Sequence, residues 1–477
     1  MSISIKRFSV IVLGVYVLVS LLHAWQLPFS ADEAHYALYA SYLDWSYFDH
    51  PPMVGWLQSI ALAVSSDEFT LRIIPILMTA ASLLLLFNLT KQEFGDKQAW
   101  IALLLFMSAP ILNIIPFGMI PETPLVLAGF ACVWAVLNII KSEGLVLKHW
   151  LVLGVALGAS GLSKYTGVTL AFSTALVLFA HFKLATFKFV GLYLAGLIAA
   201  VCISPVLIWN MQNEWISFNY QLNHGAGKST FELSKIAQMQ GAQIASYGFL
   251  IYVAGLIAVF KFIKSPQHRV WLIFALPILL LFSFMAAKGR SLPHWTELGV
   301  LFLLPIIADW MVKSWSKKWV KVLSVSLASL SFLLVMVTQV LMFYPKFKFP
   351  DFKHPAADLI GWKEAGKLVS DNAEADEQLF IQNWSYASRA AWYSRYRPVK
   401  VLDTRFDQFD MWHGQAELGD SGLLLMVATK KGFKEHLLDR FETCTQLDQL
   451  EIKIKGNYVN HFKLYRCQNY SYEQETK

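Results

Sequence analysis

The chain has 477 residues, 56% of them hydrophobic, with a mean hydropathy of +0.46 and only 15% charged residues, against about 25% in an ordinary soluble domain. This excludes a soluble globular enzyme for most of the length and marks an integral membrane protein. The net charge of +7 is not a nucleic-acid signal, because the Lys and Arg are scattered over short loops between apolar runs. Their natural partner there is the anionic lipid surface, and the 17 Trp and 34 Phe suit the membrane interface.

A span needs about 20 apolar residues. Runs near 7–26, 70–90, 97–115, 121–140, 150–163, 166–181, 188–209, 236–260, 270–286, 296–312 and 320–343 predict eleven transmembrane helices. The first run lacks a small-residue cleavage site before Asp32 and reads as a retained helix. Lys and Arg mark the cytoplasmic side. With Lys6 and Arg7 inside, the inner loops hold Lys91, Lys97, Lys141, Lys148, Lys183, Lys188, Lys261, Lys264, Arg269, Lys313, Lys317, Lys318 and Lys321. The outer loops hold little beyond Lys164, Lys228, Lys235, Lys288 and Arg290. Every loop with chemical character then falls outside.

The first of these is 27–66, which begins LPFSADEAHYALYASYLDWSYFDHPPMVGW. It is too polar to span a bilayer and too aromatic to be a solvated linker, so it reads as an interfacial loop lining a site. Asp32 and Glu33 follow the first span. Either is a general base for an acceptor hydroxyl, or both simply favour a helix first turn. Asp49 and His50 precede Pro51 and Pro52, which fix the backbone and hold His50 extended. Such a His suits a phosphate or, with Asp49, a metal; a rigid surface turn is the plainer reading. Glu122, between Pro121 and Pro124, sits at the outer start of a span, where a carboxylate is costly or complements a helix N-terminus. Lys164 in GLSKYTG, and Lys288 and Arg290 in KGRSLPHW, are cations for a lipid phosphate or residues snorkelling to the headgroups. His224 in QLNHG is a weaker candidate of the same kind.

Residues 346–477 lack an apolar span and read as a soluble α/β domain, outside with eleven spans; residues 1–345 form the membrane domain. Helices are expected at 361–370 and 385–395, and strands at 378–382, 423–428 and 451–455. Cys132 and Cys202 lie in spans as small hydrophobes. Cys444 and Cys467 lie in the outer domain as a disulfide or as two separate buried thiols. No Walker loop, G-x-G-x-x-G after a strand, G-x-S-x-G or H-E-x-x-H is present. A bond-forming enzyme facing outside, with no nucleotide site, points to a lipid-linked donor.

These stretches, in this order, resemble the GT-C-type membrane glycosyltransferases of the protein O-mannosyltransferase and lipid A aminoarabinose transferase group, in the bacterial branch. The carriers are Asp32-Glu33, FDHPPMVGW (48–56), PETPL (121–125), GLSKYTG (161–167), SPVLIWN (204–210), RSLPHW (290–295), and in the tail QNWSYAS (382–388) and FDQFDMW (406–412). The resemblance implies transfer of a hexosyl or pentosyl group from a polyprenyl phosphate to an envelope acceptor (lipid A, another glycan or a protein) at the periplasmic face of the bacterial inner membrane. It implies Asp32 as base, Glu122 holding donor or acceptor, and basic residues on the phosphate. His50 stands where some relatives carry Lys, so its charge depends on pH. No cofactor is firmly implied; a divalent metal on Asp49 and His224 stays open. Chemically, a phosphate-linked sugar has a good leaving group. One base and charge balance by Lys164, Arg290 and His50, with Tyr165 and Lys288 beside them, suffice, and direct attack predicts inversion. The rivals are a polyprenyl-linked glycan flippase, which needs charges through the middle of its spans, and an envelope assembly subunit, indifferent to Asp32.

Overall fold

The computed structural model describes residues 2–114, 117–226, 230–289, 291–343, 358–395, 398–429, 432–454 and 457–472, with 2–10, 224–226, 342–343 and 457 described by backbone alone. By contact the chain divides into two units. The first comprises Met1–Ala24, Asp44–Ser65 and Phe69–Val337; the second comprises Trp25–Leu43, Ser66–Glu68 and Thr338–Lys477. The stretch expected as one loop at 27–66 is therefore shared between them.

The first unit is an α-helical polytopic membrane bundle. Among the described residues seven helices are long and apolar enough to cross a membrane, or nine if two bent helix pairs each count as one span. Eleven was expected. Three of the expected runs fall on helices outside that length test: Asp96–Ser108 has 13 residues and Leu147–Ser163 has 17, while Leu233–Tyr247 and Phe249–Phe262 meet at a 115° bend. Large apolar side chains stand exposed on outer faces, among them Val190, Val201 and Phe260, as lipid-facing positions require. Helices Glu68–Phe94, Val190–Gln212, Arg269–Lys288 and Glu297–Ser314 each carry an internal proline, which neighbouring helices in a bilayer tolerate. The core is aromatic and tight, with Trp150, Trp271 and Trp310 fully buried.

Close packing fixes the helix that carries Lys164. Leu147–Ser163 lies against Val190–Gln212, and a Cβ added at Gly158 would meet Cys202 Cβ at 2.5 Å; only a glycine allows that approach. The helix stops at Ser163 and Lys164 turns extended (φ −156°, ψ 144°). Tyr165–Gly167 forms one tight turn, and helix Val168–Phe182 starts back. Gly167 sits so near Ser160 that a Cβ would meet its carbonyl oxygen at 2.5 Å. The GLSKYTG stretch is thus the reversal between two helices, with Lys164 at its apex.

The second unit is α/β. Its sheet has strand order β2-β1-β3-β5-β4, where β1 is Gln378–Ile381, β2 Val399–Val401, β3 Gly422–Val427, β4 Phe441–Ile454 and β5 Asn457–Tyr470. β1 pairs in parallel with β2 and β3, and β3, β5 and β4 pair antiparallel. Helices Trp362–Asn372 and Trp384–Ser394 cover one face, and Leu38 of helix Ala31–Ser41 joins that core. Cys444 faces Cys467 across β4 and β5, and the two form a disulfide.

Candidate functional site

The first unit gathers its candidate charges at one end of the bundle. Glu122 opens helix Glu122–Lys141 in the first turn, where its charge complements the helix N-terminus. Its Oε1 accepts from Lys164 Nζ, and the two side chains are only 7% and 10% exposed. His294 Nε2 lies 3.9 Å from the same oxygen. Lys164 also stands 5.8 Å from the centre of the Trp295 ring. The 293–296 turn is held by Tyr247 Oη and Thr296 Oγ1, which both donate to the Pro293 carbonyl, at 2.9 and 2.8 Å. Glu297, buried in the next helix's first turn, lines a narrow cavity with Glu122, Thr79, Ser82 and Thr123.

The Asp49-His50 turn is placed by a second set of bonds. Tyr47 N donates to the His50 carbonyl at 3.0 Å, Gln221 Nε2 to the Asp49 carbonyl at 2.7 Å, and Ser217 Oγ to the Tyr47 carbonyl at 2.8 Å. Asp44 fastens the turn's start: Trp209 Nε1 donates to its Oδ2 at 2.7 Å and Trp45 N to its Oδ1 at 2.6 Å. That gives the SPVLIWN stretch a positioning role. Burial holds the His50 imidazole below its ordinary pKa; Asp49 and Glu122 oppose this and Lys164 adds to it. A burial-depressed imidazole is mainly neutral at pH 7, so the position is not a standing cation. Tyr165 lies 3.4 Å from Ser46 Oγ through its hydroxyl. Lys288 is half-buried in the last turn of Arg269–Lys288. Arg290 and the His224 side chain lie outside the described residues. Among the described residues no group of three His, Cys, Asp or Glu side chains is placed to hold a metal ion, and the pair Asp49 and His224 includes a side chain not described.

The opposite end of the bundle is different. Asp309 accepts from Lys313 at 2.7 Å and lies 2.8 Å from His268 Nε2, and Lys141 pairs with Glu93 at 2.7 Å. These groups sit beside the basic loops and tie helix ends to one another.

The second unit holds Asp32 and Glu33. Glu33 is buried in a capping box: its Oε2 accepts from Ser30 N at 3.1 Å, and Glu33 N donates to Ser30 Oγ at 3.3 Å. Its carboxylate is committed to starting the helix. Asp32 is exposed and lines a cleft with Ser30, Asp358, Asn383, Trp384, Ser385, Tyr386 and Arg389. Arg389 is buried. Its Nη1 donates to the Asp358 carbonyl at 2.5 Å and its Nε to the Ser385 carbonyl at 3.1 Å. Burial lowers its pKa to about 10, opposed by Asp358 first and by Asp32 among others, so it stays charged at neutral pH.

The structure brings together Glu122, Lys164 and the Asp49-His50 turn, and adds His294 and Glu297, which the sequence reading did not single out. Glu297 carried the signal that marked Glu122: an acid opening an apolar helix after a proline-containing outer loop. Arg389 had no such signal.

Against solved structures, the chain matches ArnT from Cupriavidus metallidurans bound to undecaprenyl phosphate with a TM-score of 0.67 at 12% identity, over 97% of this chain and 98% of that one. The fold is GT-C. The GT-C fold also accounts for a match of residues 49–209 to the family model described as dolichyl-phosphate-mannose-protein mannosyltransferase. Among curated proteins, the lipid A galacturonosyltransferase RgtD of Rhizobium johnstonii is 26% identical over 316 residues. That match spans 63% of this chain and 63% of the relative's length.

Proposed function

We propose that the chain is an inverting glycosyltransferase that moves a sugar from a polyprenyl phosphate to an envelope acceptor at the periplasmic face of the bacterial inner membrane. The observation that carries this reading is the buried Glu122–Lys164 pair, flanked by the Asp49-His50 turn and His294, at one end of a GT-C bundle. A polyprenyl donor brings a phosphate and a lipid tail together, and a fixed cation at a membrane helix end suits the first while apolar spans suit the second. The likeness to ArnT bound to undecaprenyl phosphate and to a lipid A galacturonosyltransferase supports the donor class and a lipid A-type acceptor.

Asp32 takes the proton of the acceptor hydroxyl as the hydroxyl attacks the anomeric carbon. The sugar–phosphate bond breaks, and the charge on the departing lipid phosphate is balanced by Lys164 and by N–H donation from His50 or His294. Glu122 holds Lys164 in place. The phosphate leaves without a general acid. The flippase reading fares worse, since the buried charges Arg72, Glu122, Glu297 and Asp309 all lie within two turns of a helix end.

The test is label transfer from membrane-derived polyprenyl phosphate sugars to an envelope extract by purified protein. Wild type is expected to transfer and Asp32→Asn to fail while folded. Equal transfer by the variant removes Asp32 from the chemistry; no transfer by wild type with several donor sugars removes the class.

A further inference from the structure

Within the second unit, the helix that carries Asp32 is gripped at two points by one other helix, Trp384–Ser394. Ahead of the cap, Phe29 N donates to Tyr393 Oη at 2.7 Å, and the same hydroxyl donates to Glu68 Oε1. One turn beyond Asp32, buried His35 has its Nδ1 3.0 Å from Ser388 Oγ. The Ser388 hydroxyl donates its single proton to the Trp384 carbonyl at 2.7 Å. It can therefore only accept from His35, and the imidazole carries a proton on Nδ1. The rings of Trp384, Phe409 and Trp412 close around His35, with centroids 5.3, 5.9 and 6.0 Å away.

Asp32 lies between these two grips in sequence. The reciprocal cap of Ser30 and Glu33 fixes where the helix starts but not how it turns about its own axis. Contacts at positions 29 and 35 from one neighbour fix that rotation. Asp32 lines its cleft with Asn383, Trp384, Ser385 and Tyr386, the cap and first turn of the gripping helix, so the carboxylate and both grips share one frame. A general base acts only within hydrogen-bond reach of its hydroxyl, and a misplacement of about 1 Å costs up to about a hundredfold in rate. We propose that Tyr393, Ser388 and His35 are positioning residues for the transfer, through which helix Trp384–Ser394 sets the place of the Asp32 carboxylate. The proposal rests on the glycosyltransferase reading, which makes Asp32 the base, and it gives the C-terminal α/β domain a part in the chemical step.

The test uses the full chain in lipid nanodiscs. It reads kcat and donor KM for label transfer from polyprenyl phosphate sugars to an envelope extract, the unfolding midpoint, and amide hydrogen exchange over 31–41. Tyr393→Phe and His35→Phe each remove a hydrogen-bonding group and keep an aromatic ring. Both are expected to speed exchange over 31–41 and to lower kcat about tenfold, with donor KM unmoved. His35→Asn does the reverse: its amide N–H stands in for Nδ1–H, and the aromatic cage loses its ring. It is expected to unfold at a lower midpoint than His35→Phe and yet to transfer faster. Transfer that follows the unfolding midpoint through the three variants overturns the proposal, because the contacts then serve stability alone. So does wild-type kcat, or wild-type exchange over 31–41, in both folded phenylalanine variants. The two readings fail separately. An inactive Asp32→Asn beside fully active Tyr393→Phe and His35→Phe removes the positioning role and leaves the base standing. Asp32→Asn that transfers like wild type, or a wild type that transfers from no donor, removes the reading underneath.

Discussion

At the residue scale the Glu122–Lys164 pair is the sharpest object. Both groups are almost out of water, so removing one partner strands the other. Glu122→Gln or Lys164→Met is expected to cost about 3–5 kcal/mol in a detergent unfolding assay. The double variant is expected to recover most of that stability and none of the transfer, which separates a structural pair from a working one. Asp32→Asn behaves in the opposite way. The side chain is exposed in the first turn of its helix, so stability falls by less than about 1 kcal/mol while transfer drops by about 10²–10⁴. His50 adds a pH dependence whose sign is fixed by its direction. Its folded pKa lies below the ordinary 6.5, so the unfolded chain takes up the proton first. The stability from the neutral ring is complete above about 6.5 and is lost as pH falls towards the folded value. Comparing wild type with His50→Gln between pH 7.5 and 5 isolates that loss; parallel curves would show that His50 stays solvated.

Two joints matter at the scale of the elements. Ser30 and Glu33 start helix Ala31–Ser41 with a reciprocal cap. Ser30→Ala is expected to cost about 1 kcal/mol, read as a lower unfolding midpoint of the second unit. Gly158 sets the approach of Leu147–Ser163 to Val190–Gln212, and Gly158→Ala places a methyl 2.5 Å from Cys202 Cβ. The expected cost is about 1–3 kcal/mol, with weaker transfer because Lys164 rides on the end of the displaced helix. Transfer unchanged in a stable Gly158→Ala protein would mean that the Lys164 turn is set from elsewhere.

The whole molecule consists of two units with different stabilisation. The membrane bundle packs apolar helices tightly and leaves its lipid-facing side chains exposed. The second unit is a small sheet with helices on it, and its outer hairpin is stapled by Cys444 and Cys467. Reduction is expected to lower the midpoint of the second unit alone, by about 2–4 kcal/mol of stability, with the bundle's transition unmoved. A single shifted transition would show instead that the units unfold together.

The sequence by itself determined the membrane class, the presence of a mixed α/β tail, and the pairing of Asp32, Glu122 and Lys164 with loops of chemical character. These follow from composition and from local patterns: apolar run length, proline-bounded acids, and a Lys on a side poor in Lys. Strands β1 and β3 were legible as continuous apolar runs, whereas β5 was not, because Asn457–Tyr470 interleaves polar and charged residues with the apolar ones that it buries in two cores. Hydropathy counts apolar residues and does not see where a helix bends or stops, so the eleven apolar runs correspond, among the described residues, to seven unbroken long apolar helices, or nine with the bent pairs, and several shorter ones. Only the tertiary structure decided that Glu33 caps a helix, that His50 is held by burial, that His294 and Glu297 stand with Glu122, and that Arg389 lies under Asp32. Each depends on contacts between residues far apart in the chain, and no local pattern encodes the desolvation that such contacts impose.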